Sequence, residues 1–273
     1  MSNEGRISRG WRLTRTAWGV LVGDRTALIL AVLQALAAAA VAVAVFTLSG
    51  WVSHPGQESR LLLAVVITYL PSTLISTFIG VALCAAVAGA MESERLTLAE
   101  ALSVPLRRIG QILLWSLLAA GVGLLLEQLA ARVPFGARIV TWLAGMAWSL
   151  GTLFVLPILA LSGCDATECV RQSAGLIKQR WGEGITGNLV IGAWAIVIVI
   201  PLAVAAGIVG AVSHSRSTTW LVVVAAMVLV GSVTWAATRV FSVALYRFAT
   251  GADATGPFTD ADLQQPFRRR RRR

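Results

Sequence analysis

Residues 61–90 read LLLAVVITYLPSTLISTFIGVALCAAVAGA, an apolar run that contains no charged side chain. A helix needs about 20 apolar residues to cross the ~30 Å hydrocarbon core of a bilayer, and this run is longer than that. It is continuously apolar and does not alternate with period two, which favours a helix over a barrel strand. Because it exceeds one bilayer thickness and contains Pro71, the run predicts a tilted or kinked spanning helix.

Five further runs have the same apolar character. They cover residues 27–48, 110–131, 139–162, 186–212 and 218–246. The chain is 57% hydrophobic and only 13% charged, whereas soluble domains carry about 25% charged residues. The composition therefore disfavours a water-soluble globule and predicts an all-α, polytopic membrane bundle of about six transmembrane helices.

Composition divides the chain into three segments. Residues 27–249 hold the six runs and form the predicted transmembrane domain. Residues 1–26 are rich in Arg and do not resemble a short charged signal peptide, so we expect the first helix to be retained. Residues 250–273 pass from small, polar and acidic residues to six Arg; such a segment cannot bury a core and is predicted to be a disordered tail.

The N-terminal segment predicts an amphipathic helix in the plane of the membrane. A stripe at three- and four-residue steps contains Ile7, Trp11, Thr14, Trp18 and Leu21, and Arg lies mostly off that stripe. Trp settles at the membrane interface and Arg reaches anionic headgroups. The alternative is a cytosolic helix packed on the loops. The candidate lipid-surface residues of this segment are Arg6, Arg9, Arg12, Trp11 and Trp18.

The positions of Lys and Arg predict that both termini are cytoplasmic. Eighteen of them lie in the N-terminal segment, the loops after the second and fourth runs, and the tail, against four in the other connections. Basic segments near membrane-spanning helices are retained in the cytoplasm. We therefore expect a multi-pass protein of the inner, cytoplasmic membrane, with loops 91–108 and 164–184 inside. Each of these loops is predicted to contain a short helix, and their common plan suggests a weak internal repeat.

The basic tail predicts contact with anionic lipids at the cytoplasmic face. Each basic residue near such a surface contributes about 1 kcal/mol of binding. A solvated charge run without a partner is the alternative. Topology and this tail together explain most of the net charge of +10, so nucleic acid is not an expected partner. The tail residues concerned are Arg268, Arg269, Arg270, Arg271, Arg272 and Arg273.

Groups that could act together in catalysis are scarce in the sequence. The two histidines, His54 and His214, fall in different outward loops and have no neighbouring ligand at metal spacing. The cysteines Cys84, Cys164 and Cys169 lie in a span or on the predicted cytoplasmic side, so we expect reduced, inert thiols without a disulfide. We expect neither an enzyme, nor a metal, nor a cofactor.

Three polar residues inside the predicted spans are functional candidates, because such groups are costly in lipid. Glu127 lies near the outer end of the third run, and Arg239 lies about 15 Å of helix from the inner end of the sixth. Since their depths differ, the simpler interpretation places Glu127 at the outer interface. Arg239 would then bond to backbone carbonyls or extend its side chain toward the inner membrane surface. Interhelical hydrogen bonding explains Asn188 and the Ser and Thr residues of the PSTLISTF stretch that begins at Pro71.

Three stretches carry a family resemblance. They are RISRGWRLTRTAWGVLVGDRTALIL at 6–30, GCDATECVRQSAGLIKQRWGEGITGNLVIG at 163–192 and FSVALYRFATG at 241–251. Together they resemble the prokaryotic membrane proteins of domain of unknown function 6159, over nearly the whole chain to about residue 251. The resemblance implies a six-span bundle and brings no site residues. The inner-loop stretch is also similar to the membrane domain of some glycerophosphoryl diester phosphodiesterases, whose catalytic domain this chain lacks.

The sequence supports two main hypotheses of function. The first is a non-enzymatic inner-membrane protein that contacts anionic lipid or a membrane protein partner. The alternative is a small-solute transporter or permease subunit, in which Glu127, Arg239 or the broken second span would line a hydrated path. A membrane enzyme acting on lipid would instead require Glu127 and the two histidines in one outward cavity.

Overall fold

The computed structural model describes residues 19–51, 58–134, 138–181 and 216–251, and over these ranges the chain is helical without strands. Residues 19–23 form a short helical segment before the first long helix. The helices that follow are α1 (Arg25–Trp51), α2 (Glu58–Met91), α3 (Leu98–Arg107), α4 (Ile109–Arg132), α5 (Arg138–Gly151), α6 (Val155–Leu161), α7 (Ala166–Trp181) and α8 (Arg216–Thr250).

These helices confirm the predicted all-α bundle. Four stretches of the described residues are long and apolar enough to cross a membrane, namely Arg25–Val45, Ile67–Met91, Ile109–Arg132 and Arg138–Leu161. Helix α8 covers the sixth predicted run, and α3 and α7 are the short helices expected in the two loops. The fifth predicted run, 186–212, lies outside the described residues.

Helix α2 is the centre of the bundle. In its apolar stretch 72% of the residues are buried, against 11% in α1 and 22% in α4. Residues 81–88 of α2 are almost all fully buried and are mostly small. Small side chains allow neighbouring helix backbones to approach closely, which is how helices associate when lipid removes the hydrophobic driving force.

One end of the bundle is defined by contacts around α3. The hydroxyl of Thr26, at the start of α1, donates to the carbonyl of Leu96, 2.8 Å away, just before α3. The guanidinium of Arg108, between α3 and α4, donates to the carbonyl of Leu159 near the end of α6. We call this the α3 end. The first turn of α1 and the last turn of α6 therefore lie at the same end.

The last turn of α8 also lies at the α3 end. Arg247 pairs with Glu92, which directly follows α2. Helix α3 itself begins with a capping box, in which the backbone N–H of Thr97 donates to the Glu100 carboxylate at 2.7 Å. This hydrogen bond lowers the pKa of Glu100. The first and last long helices thus start and finish on one side, as an even number of spans requires.

The fourth predicted span differs from the prediction, because it is two helices and not one. A turn at 152–154 separates α5 from α6. Pro157 explains the break, since proline has no N–H to donate and its ring clashes with the carbonyl four residues earlier. The same proline is tolerated in the first turn of a new helix, because the backbone N–H groups of a first turn have no partner within the helix in any case. Pro71, by contrast, lies within the continuous helix α2.

Replacement of Gly89 by alanine is expected to destabilise the fold. A Cβ at this position would lie 2.5 Å from the backbone oxygen of Glu94 and 3.1 Å from Cγ of Leu96. Because a backbone atom cannot rotate away, we expect Gly89→Ala to lower the apparent Tm in detergent, by the equivalent of about 1–3 kcal/mol.

Gly121→Ala is the matched control, because a Cβ there meets nothing within 4 Å. Alanine favours a helix more than glycine does, so this control should keep or slightly raise the Tm. Thermal unfolding followed by tryptophan fluorescence measures both variants. Equal melting temperatures would contradict the close packing at Gly89.

Candidate functional site

A cavity of about 500 Å³ lies between α1, α2, α4, α8 and the break between α5 and α6. Its described lining is rich in hydroxyl groups, four of which come from two adjacent turns of α2: Ser72, Thr73, Ser76 and Thr77. Small-molecule sites in proteins commonly measure about 300–1,000 Å³. The cavity is therefore large enough for a small ligand, and its wall offers many hydrogen bonds.

The cavity extends from about the middle of the predicted membrane thickness toward the end of the bundle away from α3, because the hydroxyl groups of α2 lie further from the α3 end than Gln34 and Arg239 do. Gln34 lines it and is nine residues beyond Arg25, or about 14 Å along the helix at 1.5 Å per residue. Arg239 also lines it and is eleven residues before Thr250, or about 16 Å from the same end. Half of a ~30 Å hydrocarbon core is about 15 Å, so both polar residues lie at mid-depth.

Arg239 brings a positive charge to this cavity. Its guanidinium carbon lies 5.5 Å from the centre of the Trp235 ring, which is within cation–π distance. Its Nε is buried and has no hydrogen-bond partner among the described residues. At about 16 Å from the helix end, the side chain is too deep to reach the α3 end. It faces the cavity.

Gln34 contributes a second unpaired group. Its amide nitrogen donates to the hydroxyl of Ser76 at 3.4 Å, which joins α1 to α2 across the cavity wall. Its Oε1 is buried and accepts no hydrogen bond from the residues that the structure describes. A buried polar atom without a partner costs about 1–3 kcal/mol. Water or a ligand in the cavity would remove this cost.

The break between α5 and α6 forms one wall of the cavity. Ser149 and Thr152 line it, and the Thr152 hydroxyl donates to the carbonyl of Trp148 at 2.7 Å. On the other side of the break, the backbone N–H of Phe154 donates to the buried hydroxyl of Ser173 in α7 at 3.1 Å. Helix α7 thus supplies the acceptor that the interrupted helix lacks.

The structure separates the intramembrane residues that the sequence singled out. Glu127 is exposed and is not among the cavity residues, so within the described part of the chain it does not share a site with Arg239. Asn188, His54 and His214 lie outside the described residues. So do the predicted lipid-surface residues of the N-terminal segment and of the tail, which are Arg6, Arg9, Arg12, Trp11, Trp18 and residues 268–273.

The expectation of unpaired thiols is wrong for two of the three cysteines. Cys164 and Cys169 form a disulfide, with their Cα atoms 5.8 Å apart, a normal spacing for such a bond. Cys169 lies in the first turn of α7 and Cys164 in the turn just before it, so the helix start brings the sulfurs together. Five-residue spacing does not reveal that turn. Cys84 is a free, buried cysteine of α2.

Sequence reasoning missed most of the cavity wall. Gln34, Ser149, Thr152 and Thr238 were not singled out, and the hydroxyl groups after Pro71 were explained as interhelical hydrogen bonds. A search for Ser, Thr and Gln at a common depth of several predicted spans would have found part of the set. Which of these side chains face one another depends on how the helices are rotated.

Comparison with known proteins identifies a family. The family of unknown function DUF6159 matches residues 59–256, which is most of the chain. Of the unpaired groups at the cavity, Arg239 lies within the match and Gln34 lies before it. The N-terminal stretch at 6–30 is also outside the match. The comparisons do not show a similarity to glycerophosphoryl diester phosphodiesterases, and no curated protein and no solved structure matches the chain.

Replacement of Ser173 by alanine should destabilise the contact between α7 and the α5–α6 break that lines the cavity. The substitution removes the hydrogen bond from the buried N–H of Phe154 to Ser173, which is expected to cost about 0.5–1.5 kcal/mol. Ser103→Ala is the matched control, because the Ser103 hydroxyl bonds at an exposed position to the carbonyl of Glu100. The apparent Tm in detergent should fall for Ser173→Ala and stay nearly constant for Ser103→Ala. An unchanged Tm for both would argue against this role of α7.

Proposed function

We propose that this chain, which belongs to the family of unknown function DUF6159, is a non-enzymatic transporter or permease subunit of the cytoplasmic membrane. Its solute would bind in the cavity between α1, α2, α4, α8 and the α5–α6 break. The observation that carries the proposal is a cavity of about 500 Å³ inside an apolar bundle, lined in part by hydroxyl groups, Gln34 and Arg239. An ionisable residue inside a membrane domain is costly and marks a candidate functional site, and Arg239 is such a residue.

The interrupted fourth span supports the same function. Transporters bind substrates near the bilayer midplane, beside helices whose regular hydrogen bonding is broken. Non-helical backbone at that depth is tolerated where it is buried in protein or lines a water-filled cavity. The turn at 152–154 fits this description, since Thr152 and Leu153 line the cavity and Phe154 bonds to Ser173.

The charge distribution supports an orientation with the α3 end in the cytoplasm, where a disulfide such as that of Cys164 and Cys169 is rare and usually transient. Arg132 and Arg138 are exposed at the ends of α4 and α5 that face away from the α3 end. Three exposed basic residues lie near the α3 end, namely Arg25, Arg95 and Arg107. Positive charge is retained on the cytoplasmic side.

The same basic residues favour a second, compatible function, which is contact with anionic lipid at the inner leaflet. Each exposed cation near such a surface contributes about 1 kcal/mol. The Arg-rich N-terminal segment and tail would add to this contact, although both lie outside the described residues. The same surface could instead contact a membrane protein partner, which is the other version of this second function.

Cysteine accessibility tests the solute path. We expect Ser76→Cys and Thr152→Cys, both at the cavity, to react with a neutral, water-soluble methanethiosulfonate in intact membranes. Leu117→Cys is the control, because Leu117 is 59% exposed on α4 and lies about as far from the α3 end as Thr152 does. The thiolate is the reactive form and requires water, so the cavity positions should react at least about tenfold faster than the lipid-facing position.

The parent chain provides the background rate from its native cysteines. Protection of both cavity positions to the level of Leu117→Cys would leave no hydrated cavity and would refute the proposed solute path. Reaction at Leu117→Cys as fast as at Thr152→Cys would equally contradict the assigned lipid-facing surface.

A further inference from the structure

We infer that the cavity selects small organic anions that carry a hydroxyl group, with Arg239 as the anion-binding residue and Gln34 as the hydroxyl acceptor. This inference rests on the proposed function of the cavity as a solute site. It adds the chemical class of the solute, which the size and position of the cavity do not define.

The charge of the described cavity wall is unbalanced. Arg239 is the single ionisable side chain among the described residues that line it, and no carboxylate is present there. A guanidinium stays protonated under all physiological conditions. In a site of low dielectric constant its charge attracts anions and repels cations much more strongly than in water. An anion in the cavity would supply the missing countercharge.

The neighbours of Arg239 solvate the guanidinium without neutralising it. The ring of Trp235 covers one side, with 5.5 Å from the guanidinium carbon to the ring centre. A cation–π contact offers a favourable face but no negative charge. The buried Nε retains an N–H that no described residue accepts. Guanidinium N–H groups bind carboxylate and phosphate oxygens in forked geometry, so the unpaired donor suits an oxyanion.

Gln34 defines the second part of the ligand. Its Oε1 is buried and lacks a donor within the described part of the chain, and Gln34 lines the same cavity as Arg239. A solute with a hydroxyl group would donate to this oxygen while its anionic group accepts from the guanidinium. The hydroxyl of Ser76, already bonded to the Gln34 amide, holds this side chain in place. A simple anion without a hydroxyl would offer no donor to Oε1.

The charge preference is measured with two thiol reagents of similar size on Thr152→Cys. One carries a sulfonate and the other a trimethylammonium group, and each rate is normalised to that of a free thiol in solution. With Arg239 intact, the sulfonate reagent should react at least about tenfold faster than the cationic reagent, because the guanidinium concentrates anions near it.

Substitutions of Arg239 test its role directly. Arg239→Gln in the Thr152→Cys chain should reduce the preference to near unity, whereas Arg239→Lys should keep most of it. Arg107→Gln is the matched control, since Arg107 is exposed in α3 and away from the cavity. If Arg239→Gln does not fold, anion selection is still tested by the ratio of the two reagent rates on Thr152→Cys with the native arginine. Equal rates there, or a faster cationic reagent, would overturn the inference.

The hydroxyl requirement is tested by competition with lactate and propionate, which differ in one hydroxyl group. At equal millimolar concentration, lactate should slow labelling of Thr152→Cys by the neutral reagent several-fold more than propionate. Gln34→Leu should abolish that difference. Equal protection, or none from either acid, would overturn the hydroxyl part of the inference.

These outcomes separate the two proposals. If the neutral reagent does not reach Ser76→Cys or Thr152→Cys, the solute path itself is absent and both proposals fail. If the neutral reagent reacts and the charged reagents react equally, the cavity is hydrated but does not select anions. The proposed function then stands without this inference.

Discussion

The constraint on which this structure depends is that polar groups inside a bilayer must find partners within the protein. Most described polar groups do so, as Phe154 bonds to Ser173 and Arg108 bonds to Leu159. The buried side-chain atoms without a partner among the described residues are Oε1 of Gln34, Nε of Arg239 and Oγ of Ser116. Two of these three belong to the cavity, which is where the bundle departs from full internal pairing.

The same constraint connects the broken fourth span to the site. Pro157 contributes to the break between Arg138 and Leu161, because it lacks an N–H and its ring crowds the preceding turn. The backbone groups freed by the break need partners, and α7 supplies one through Ser173. A helix that the sequence places in a loop therefore supports one wall of an intramembrane cavity. Changes in α7 would reach the cavity through this hydrogen bond.

Much of the fold could be predicted, and much less of the site. The spans were readable because each is an apolar run of about bilayer length, and Arg239 stood out because an ionisable group in such a run is costly. Serine and threonine give no such signal, since they also stabilise helix contacts in membranes. The disulfide of Cys164 and Cys169 was missed because it depends on the turn before α7.

The sequence by itself determined an all-helical bundle of apolar spans, the approximate extent of four of those spans, and the presence of a buried cation in the last helix. Hydrocarbon as solvent imposes these features on any chain of this composition. The tertiary structure alone decided that Gln34 of α1, Ser76 of α2, Thr152 of the α5–α6 break and Arg239 of α8 share one cavity, and that Glu127 does not. Convergence depends on how each helix is rotated about its axis, and rotation is set by side-chain packing between helices that are distant in sequence.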